Sequence, residues 1–225
     1  MEFTYLDETQ FVKFPQFTSS GIVAVGGNLS PGFLLSAYLQ GVFPWYNADE
    51  QITWWSPNPR FVLFPQDLHI PKSLKRFLKT NDKLSTVDKT KLTFTQNACF
   101  KKVMQNCANI IRPDQESTWI HNEMIEAYSI LHEKGYAHSF ETWQNDHLVG
   151  GFYGVMLGKI FFGESMFSKV ANSSKAVFVK FAQSFFENGG RLIDSQVYTD
   201  HMARFGAKNI SRDSYLHYVK EYTQK

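Results

Sequence analysis

The fold is decided by three runs of sequence: GGFYG at residues 150–154, FFGESMF at 161–167 and RLIDSQ at 191–196. Two strand-like segments, Leu148–Met156 and Ile160–Met166, flank a tight link, which is the pattern of a β-hairpin. The glycines that interrupt these strands indicate bulges or places where another group approaches the backbone. The stretch therefore predicts a central hairpin, followed by an apolar helix and one more strand.

Polar side chains stand at the ends of these apolar strands. Glu164 lies near the end of the second hairpin strand, and Asp194 and Gln196 lie at the end of the third run. A charge at the end of a buried strand needs a partner, so these residues are candidates for an active site. A hairpin with a buried structural glutamate explains the same pattern equally well.

The composition indicates a folded protein without an overall excess of charge. The 225 residues suffice for one large domain or two small ones, and 43% of them are hydrophobic. The net charge of +2 does not indicate nucleic-acid binding by itself, so any site for a polyanion must come from local clustering. The two cysteines and seven histidines lack metal-ligand spacings, so we expect no metal. We see neither a signal peptide nor a membrane-spanning run, and we expect a cytoplasmic protein.

Outside the central stretch the sequence alternates short strands with amphipathic helices. Residues 1–65 are expected to form a small lobe, with strands at 22–25, 53–55 and 61–64, a helix from Ser30-Pro31 and an aromatic loop at 43–46. In residues 66–225 we expect helices at 71–80, 94–110, 122–134, 173–187, 199–204 and 212–222, strands at 137–143 and 192–197, and polar loops at 81–92 and 112–118. This order predicts an α+β chain with an α/β C-terminal domain.

The helix at 71–80 carries two different faces. Its apolar residues share one side, and the opposite side carries only cations, namely Lys72, Lys75, Arg76 and Lys79. A solvated face on an ordinary amphipathic helix is the simpler interpretation. Such a face could also contact several phosphates at once without reading base sequence.

Several unusual runs, spread in order over nearly the whole chain, resemble one family. They are AVGGNLS at 24–30, GVFPW at 41–45, WWSPNPR at 54–60, GESMF at 163–167 and LIDSQ at 192–196. They resemble the leucyl/phenylalanyl-tRNA–protein transferases. The resemblance implies a GNAT-like (acetyltransferase-type) fold for 66–225 and a monomer that needs no cofactor. It implies transfer of Leu, Phe or Met from aminoacyl-tRNA to an N-terminal Arg or Lys of other proteins, which marks them for N-degron proteolysis.

The resemblance also implies roles for individual residues. Gln196 would take a proton or hydrogen bond from the attacking amine, Asp194 would orient Gln196 or bind an acceptor's cationic side chain, and Glu164 would bind the α-amino group of the donor amino acid. Trp45 and Trp119 would hold the terminal adenosine, and the cations at 72–79 would hold the tRNA body. The amino-acid pocket would be formed by Phe152, Met166, Phe178, Phe181, Phe185 and Ile193. From pattern alone, burial in the core explains these aromatic residues more simply.

Two other functions fit parts of the sequence. An acyl-CoA-dependent N-acetyltransferase would use the same fold, but the link at 168–174 contains no glycine for a pyrophosphate-binding turn. A non-catalytic tRNA-binding module would use the basic helix and the tryptophans, and it would leave Glu164 and Asp194 without a role.

Overall fold

The computed structural model describes residues 11–15, 21–110 and 119–224, so the loop expected at 112–118 and most of 1–20 lie outside the described residues. The helices are α1 (Pro31–Leu39), α2 (Lys72–Lys83), α3 (Phe100–Ala108), α4 (Asn122–Glu133), α5 (Ser173–Glu187), α6 (Asp200–Ala203) and α7 (Arg212–Thr223). The strands are β1 (Ile22–Val25), β2 (Phe43–Pro44), β3 (Thr53–Trp55), β4 (Arg60–Leu63), β5 (Thr93–Gln96), β6 (Ala137–Gln144), β7 (His147–Leu157), β8 (Ile160–Ser168), β9 (Leu192–Asp194) and β10 (Lys208–Ile210).

The strands form two sheets. A small antiparallel sheet has the order β1-β3-β2, and a seven-stranded sheet has the order β10-β4-β9-β8-β7-β6-β5. All neighbours in the larger sheet are antiparallel except β8 and β9, which run parallel. The expected α+β class is confirmed. The domain boundary at residue 65 stays a prediction, although β4, which precedes it, belongs to the larger sheet.

The central hairpin predicted from the sequence is confirmed as β7 and β8. The turn between β6 and β7, at Asn145 and Asp146, has φ values of 49° and 61°. This is the left-handed conformation that a two-residue hairpin turn requires. Side chains of β7 alternate between the two faces of the sheet, because successive residues of a strand point in opposite directions. Tyr153 and Val155 pack in the core beneath α1, α3, α4 and α7, and Phe152 packs in a second core beneath α2 and α5.

Several expected boundaries were wrong. The helix expected at 94–110 begins only at Phe100, because Thr93–Gln96 alternates as a strand and pairs with β6. The loop expected at 81–92 contains the last turn of α2, where buried Asn81 exchanges hydrogen bonds with the backbone of Leu92. The aromatic loop at 43–46 contains β2, which pairs with β3. Sequence analysis did not predict β10.

The parallel strands β8 and β9 separate partway along the sheet. They pair only from Ile160↔Leu192 to Phe162↔Asp194, after which β8 continues to Ser168. The strand expected to reach residue 197 ends at Asp194, since Gln196 has a φ of 62° and leaves the sheet. A gap therefore opens beside Glu164 on β8.

Candidate active site

A cleft of about 480 Å³ occupies the gap between β8 and β9. Residues from both faces of the sheet line it, because no strand fills the space beyond Asp194. The expected site residues that line the cleft are Trp45, Trp119, Phe152, Glu164, Met166, Phe178, Ile193 and Gln196. Candidates far apart in sequence thus meet in one place.

Glu164 is the carboxylate at the centre of this cleft. Its Oε1 atom accepts hydrogen bonds of 2.8 Å from the Tyr38 hydroxyl and from Gln196 Nε2. Its Oε2 atom accepts a longer one, of 3.4 Å, from the Tyr128 hydroxyl. Both tyrosines are fully buried, and their hydroxyl oxygens are also within hydrogen-bond distance of each other, so the Tyr128 hydroxyl shares its one proton between Tyr38 and Glu164. The side chain of Glu164 is therefore fixed in one orientation, with polar partners on several sides.

The pKa of Glu164 is raised to about 7. Burial is the main cause, because removing a carboxylate from water disfavours its charged form. The hydrogen bonds from Tyr38, Gln196 and Tyr128 lower the pKa, and the nearby Asp194 raises it. The balance places the titration of Glu164 near neutral pH.

Asp194 lies behind the cleft in a buried ion pair. Its two oxygens accept from Arg60 Nε at 2.9 Å and from Arg60 Nη2 at 2.7 Å, and the Tyr215 hydroxyl donates to Oδ2 at 2.7 Å. Asp194 is 0% exposed and Arg60 is 1% exposed. The carboxylate has no surface left for an acceptor's cationic side chain, so the structure does not favour that alternative for Asp194.

Asp194 orients Gln196 through the backbone. Its Oδ1 atom accepts the backbone N–H of Gln196 at 2.8 Å, which holds the left-handed turn at this residue. The Gln196 side chain then reaches Glu164 with its NH₂ group, and its amide oxygen points away from that carboxylate. The residues Asp194, Gln196 and Glu164 thus form one connected group in which only the last two line the cleft.

The two tryptophans expected around the adenosine line the same cleft. Trp45 is 38% exposed, and its ring centroid lies 5.5 Å from that of Trp55. The Trp55 indole N–H donates to the Trp45 carbonyl at 2.7 Å, which fixes the loop that carries Trp45. Trp119 is partly buried and contributes to the cleft lining from the segment just before α4. Trp54 is a core residue, 1% exposed.

Two of the expected pocket residues, Phe181 and Phe185, are not part of the cleft lining. They lie one and two turns beyond Phe178 on α5, and they line a second cavity of about 550 Å³ under the end of that helix. Phe181 stands behind Phe152 and Phe161, with ring centroids 5.3 and 4.5 Å away. The resemblance places all three phenylalanines in one pocket, but α5 is longer than the cleft.

The sequence did not identify several residues that hold the site together. Arg60 appeared only as the end of the WWSPNPR run, and Tyr38 lies in the helix expected from Ser30-Pro31 without an expected role. The structure adds Tyr128 and Tyr215 as buried hydrogen-bond donors to the two carboxylates. Phe161 supplies a further apolar part of the cleft wall. A polar hydroxyl on an apolar helix face was the one available signal for the tyrosines.

The cations of α2 lie on an exposed surface. Lys72, Lys75, Arg76 and Lys79 are all exposed, and none forms an ion pair with any described residue. Leu74 and Leu78 on the opposite side are buried. We refer to these four cations as the basic face of α2.

The N-terminus of α5 packs closely against β7. Gly150 of β7 packs so tightly against Ser173 and Ser174 that a Cβ atom at Gly150 would collide with them. The Ser173 hydroxyl donates to the Val149 carbonyl at 2.9 Å. The described part of the chain also contains no group of three or more His, Cys, Asp or Glu side chains that could hold a metal ion. No described helix is long and apolar enough to cross a membrane.

The chain was compared with known protein families. The sequence model of the leucyl/phenylalanyl-tRNA protein transferases matches residues 62–220, and the model of their N-terminal domain matches residues 27–58. The chain belongs to this family. A leucyl/phenylalanyl-tRNA–protein transferase of Hydrogenovibrio crunogenus is 47% identical over 205 residues, which cover 91% of this chain and 77% of the relative. The transferase of Escherichia coli O157:H7 is 46% identical over 202 residues, covering 90% and 81%.

The solved structures that resemble this chain have lower sequence identity to it than the transferases do. A GCN5-related N-acetyltransferase from Kribbella flavida is 10% identical with a TM-score of 0.38, covering 80% of this chain and 61% of that one. A conserved protein of unknown function from Staphylococcus epidermidis is 12% identical with a TM-score of 0.36, covering 68% and 57%. The α+β assignment rests on the strand order and helices of this chain.

Proposed function

We propose that this protein transfers Leu, Phe or Met from aminoacyl-tRNA to proteins with an N-terminal Arg or Lys, and that the new N-terminal residue marks them for degradation. It acts as a cytoplasmic monomer without a cofactor. The observation that carries the proposal is the hydrogen bond between Gln196 and Glu164 inside a cleft that two tryptophans and apolar side chains line. Membership of the transferase family supports the same activity.

The cleft suits the aminoacyl end of a tRNA. Trp45 and Trp119 stack on the terminal adenine, an interaction worth about 1–3 kcal/mol per base. The donor side chain lies against Phe152, Met166, Phe178 and Ile193, and the rings of Phe181 and Phe185 support that wall from behind. An apolar wall discriminates against a missing methylene by only about 1–3 kcal/mol. The pocket therefore selects donor side chains by size and branching, and it discriminates only weakly among Leu, Met and Phe.

The reaction is aminolysis of an ester that is already activated. The acceptor's N-terminal amine loses a proton and its nitrogen attacks the ester carbonyl carbon. A C–N bond forms, the C–O bond to the ribose breaks, and the ribose oxygen leaves with a proton. No covalent intermediate is needed, because positioning supplies much of the rate. Gln196 positions the amine as a neutral amide, since amides are poor bases. Glu164 binds the donor's α-amino group through a charge-assisted hydrogen bond.

The alternatives make different demands on the structure. An acyl-CoA N-acetyltransferase would bind a pyrophosphate with a glycine-rich turn at the N-terminus of α5, and the link at 168–174 contains no glycine. A non-catalytic tRNA-binding module needs no Glu164–Gln196 pair in the cleft. The first alternative therefore lacks its expected turn, and the second leaves the Glu164–Gln196 pair without a role.

A single assay separates the three functions. The protein is incubated with leucyl-tRNA and a peptide that begins with Arg, and the peptide is analysed by mass spectrometry. The proposed function requires a mass gain of one leucine residue. A gain of one acetyl group with acetyl-CoA in place of leucyl-tRNA, or tRNA binding without any product, would contradict it. Gln196→Ala is the control for the site, and an unchanged single-turnover rate in that variant would remove Gln196 from the mechanism.

The basic face of α2 leads to a prediction about tRNA affinity. Each phosphate contact contributes about one to the slope of log affinity against log salt concentration. Replacing all four cations with Gln should weaken tRNA binding at low salt and reduce the slope by up to about four, which fluorescence anisotropy at several salt concentrations measures. A matched variant changes four exposed lysines outside α2, namely Lys102, Lys134, Lys159 and Lys220. An equal loss of tRNA affinity in both variants would show that the net charge of the protein, and not the basic face of α2, governs binding.

A further inference from the structure

Strand β8 contains a β-bulge at the point where the cleft opens. Its pairing with β7 shifts register where Gly154 pairs with Gly163, and Glu164 is the extra residue of the bulge. A bulge re-aims the side chains beside it. Glu164 reaches the hydroxyls of Tyr38 and Tyr128, which lie on the helices α1 and α4. The carboxylate assigned to the donor's α-amino group is therefore turned toward the face of the sheet that these helices cover.

Gly163 faces the opposite side of the sheet. It lies two residues after Phe161, and positions two apart on a strand share a face. Phe161 packs in the second core together with Phe178 and Ile193, and these three residues and Gly163 all line the cleft. Gly163 thus lies between the carboxylate that would hold the donor's α-amino group and the apolar wall that would receive its side chain.

The sheet requires glycine at position 154 but not at position 163. A Cβ atom at Gly154 would collide with the backbone oxygen of Phe162, so this glycine allows the two strands to pair. A Cβ atom at Gly163 would lie 3.4 Å from the Asp194 carbonyl oxygen and 3.9 Å from Phe161 Cε1, which are ordinary contact distances. The φ angle of Gly163 is also not positive. The space left by the missing side chain of Gly163 therefore belongs to the cleft.

We propose that Gly163 forms the neck of the donor pocket and selects donor side chains by their width at Cγ. This role rests on the proposed function and adds the residue that sets its donor specificity. A donor held at Glu164 by its α-amino group passes Gly163 with its first side-chain carbons before it reaches the apolar wall. Leu is branched at Cγ and Phe carries a ring there, whereas Met is unbranched and flexible. A glycine at the neck admits all three.

The test narrows the neck by one carbon with Gly163→Ala. Transfer to a peptide that begins with Arg is measured with leucyl-, phenylalanyl- and methionyl-tRNA. We expect kcat/KM to fall most for Phe and Leu and least for Met, so that the preference for Met over each of the others rises about tenfold or more. One methylene in an apolar pocket changes discrimination by about 10- to 200-fold. Urea denaturation shows whether the variant remains folded.

Val197→Ile is the matched control. It also adds one carbon to a residue that lines the cleft, but Val197 is 37% exposed and lies on the segment after β9, away from the neck. The ratios among the three donors should not change in this variant. The same shift in Val197→Ile as in Gly163→Ala would show that total cleft volume, and not the neck, sets the preference.

The remaining outcomes separate this role from the proposed function. Unchanged ratios in Gly163→Ala, or an equal loss with all three donors, would overturn the role of Gly163. A variant that no longer folds would also overturn it, because the added carbon would then collide with the protein and not with the donor. If the unaltered protein transfers none of the three amino acids, the proposed function fails and the role of Gly163 fails with it. If it transfers them and Gly163→Ala leaves the ratios unchanged, the proposed function stands.

Discussion

Replacing Arg60 with Leu is expected to destabilise the fold by about 3–5 kcal/mol, the usual cost of leaving one member of a buried ion pair without its partner. Asp194 would remain fully buried, with only the Tyr215 hydroxyl and the Gln196 backbone N–H to stabilise its charge. The guanidinium also lies 4.7 Å from the Phe43 ring and 4.4 Å from the Tyr215 ring, and both contacts would be lost. Urea denaturation with an unchanged m-value would report this loss as a lower midpoint.

A double variant separates stability from function. Arg60→Leu combined with Asp194→Leu removes both charges, and apolar replacement of a whole buried pair is often neutral or stabilising. We expect it to recover part of the lost stability, while activity stays low because nothing holds the backbone of Gln196. A loss below about 1 kcal/mol in Arg60→Leu, within the range of exposed pairs, would contradict the buried geometry. Recovery of full activity in the double variant would remove Asp194 from the positioning of Gln196.

Replacing Glu164 with Gln is expected to lower donor affinity about 10- to 100-fold at pH 8, since a charge-assisted hydrogen bond is worth about 1.5–3 kcal/mol. Because burial raises the pKa of Glu164 to about 7, donor affinity in the unaltered protein should fall as the pH drops below 7 and the carboxylate takes up a proton. The measurement is the affinity for a donor analogue with an amide in place of the ester, taken over a range of pH. The fall in affinity at low pH is the acid limb of this profile. The limb should be absent from Glu164→Gln.

Two further measurements test the pKa itself. Tyr38→Phe removes a hydrogen bond that lowers the pKa of Glu164, so the acid limb should move to higher pH. The folded-state pKa lies above the ordinary value of 4.5, so stability from this group is present below pH 4.5 and is lost as the pH rises through about 7. Glu164→Gln should therefore become more stable relative to the unaltered protein as the pH rises across this window. Parallel pH–stability curves for the two proteins would contradict the raised pKa.

Local sequence signals predicted the parts of the fold that depend on neighbouring residues. The β7–β8 hairpin follows from alternation and from glycines and asparagine at turns, and both act over a few residues. α5 follows from apolar spacing in the same way. These elements place Glu164 and Phe178 on the cleft that Gln196 also lines.

Contacts between distant segments explain what the sequence did not predict. Arg60 and Asp194 are 134 positions apart, and no local pattern indicates that β4 and β9 lie side by side. β5 was expected to belong to the helix at 94–110, and only its pairing with β6 decides its conformation. Phe181 and Phe185 share a helix face with Phe178, but periodicity does not show where a cavity ends.

The separation of β8 from β9 has a consequence for the order of events. In the proposed function, a cleft lined from both faces of one sheet gives each of the two large substrates its own approach, with the nucleic acid beside Trp45 and Trp119. Neither has to depart before the other arrives. The amino acid is then transferred directly from the ribose to the acceptor protein within a ternary complex, and no covalent aminoacyl-enzyme intermediate forms.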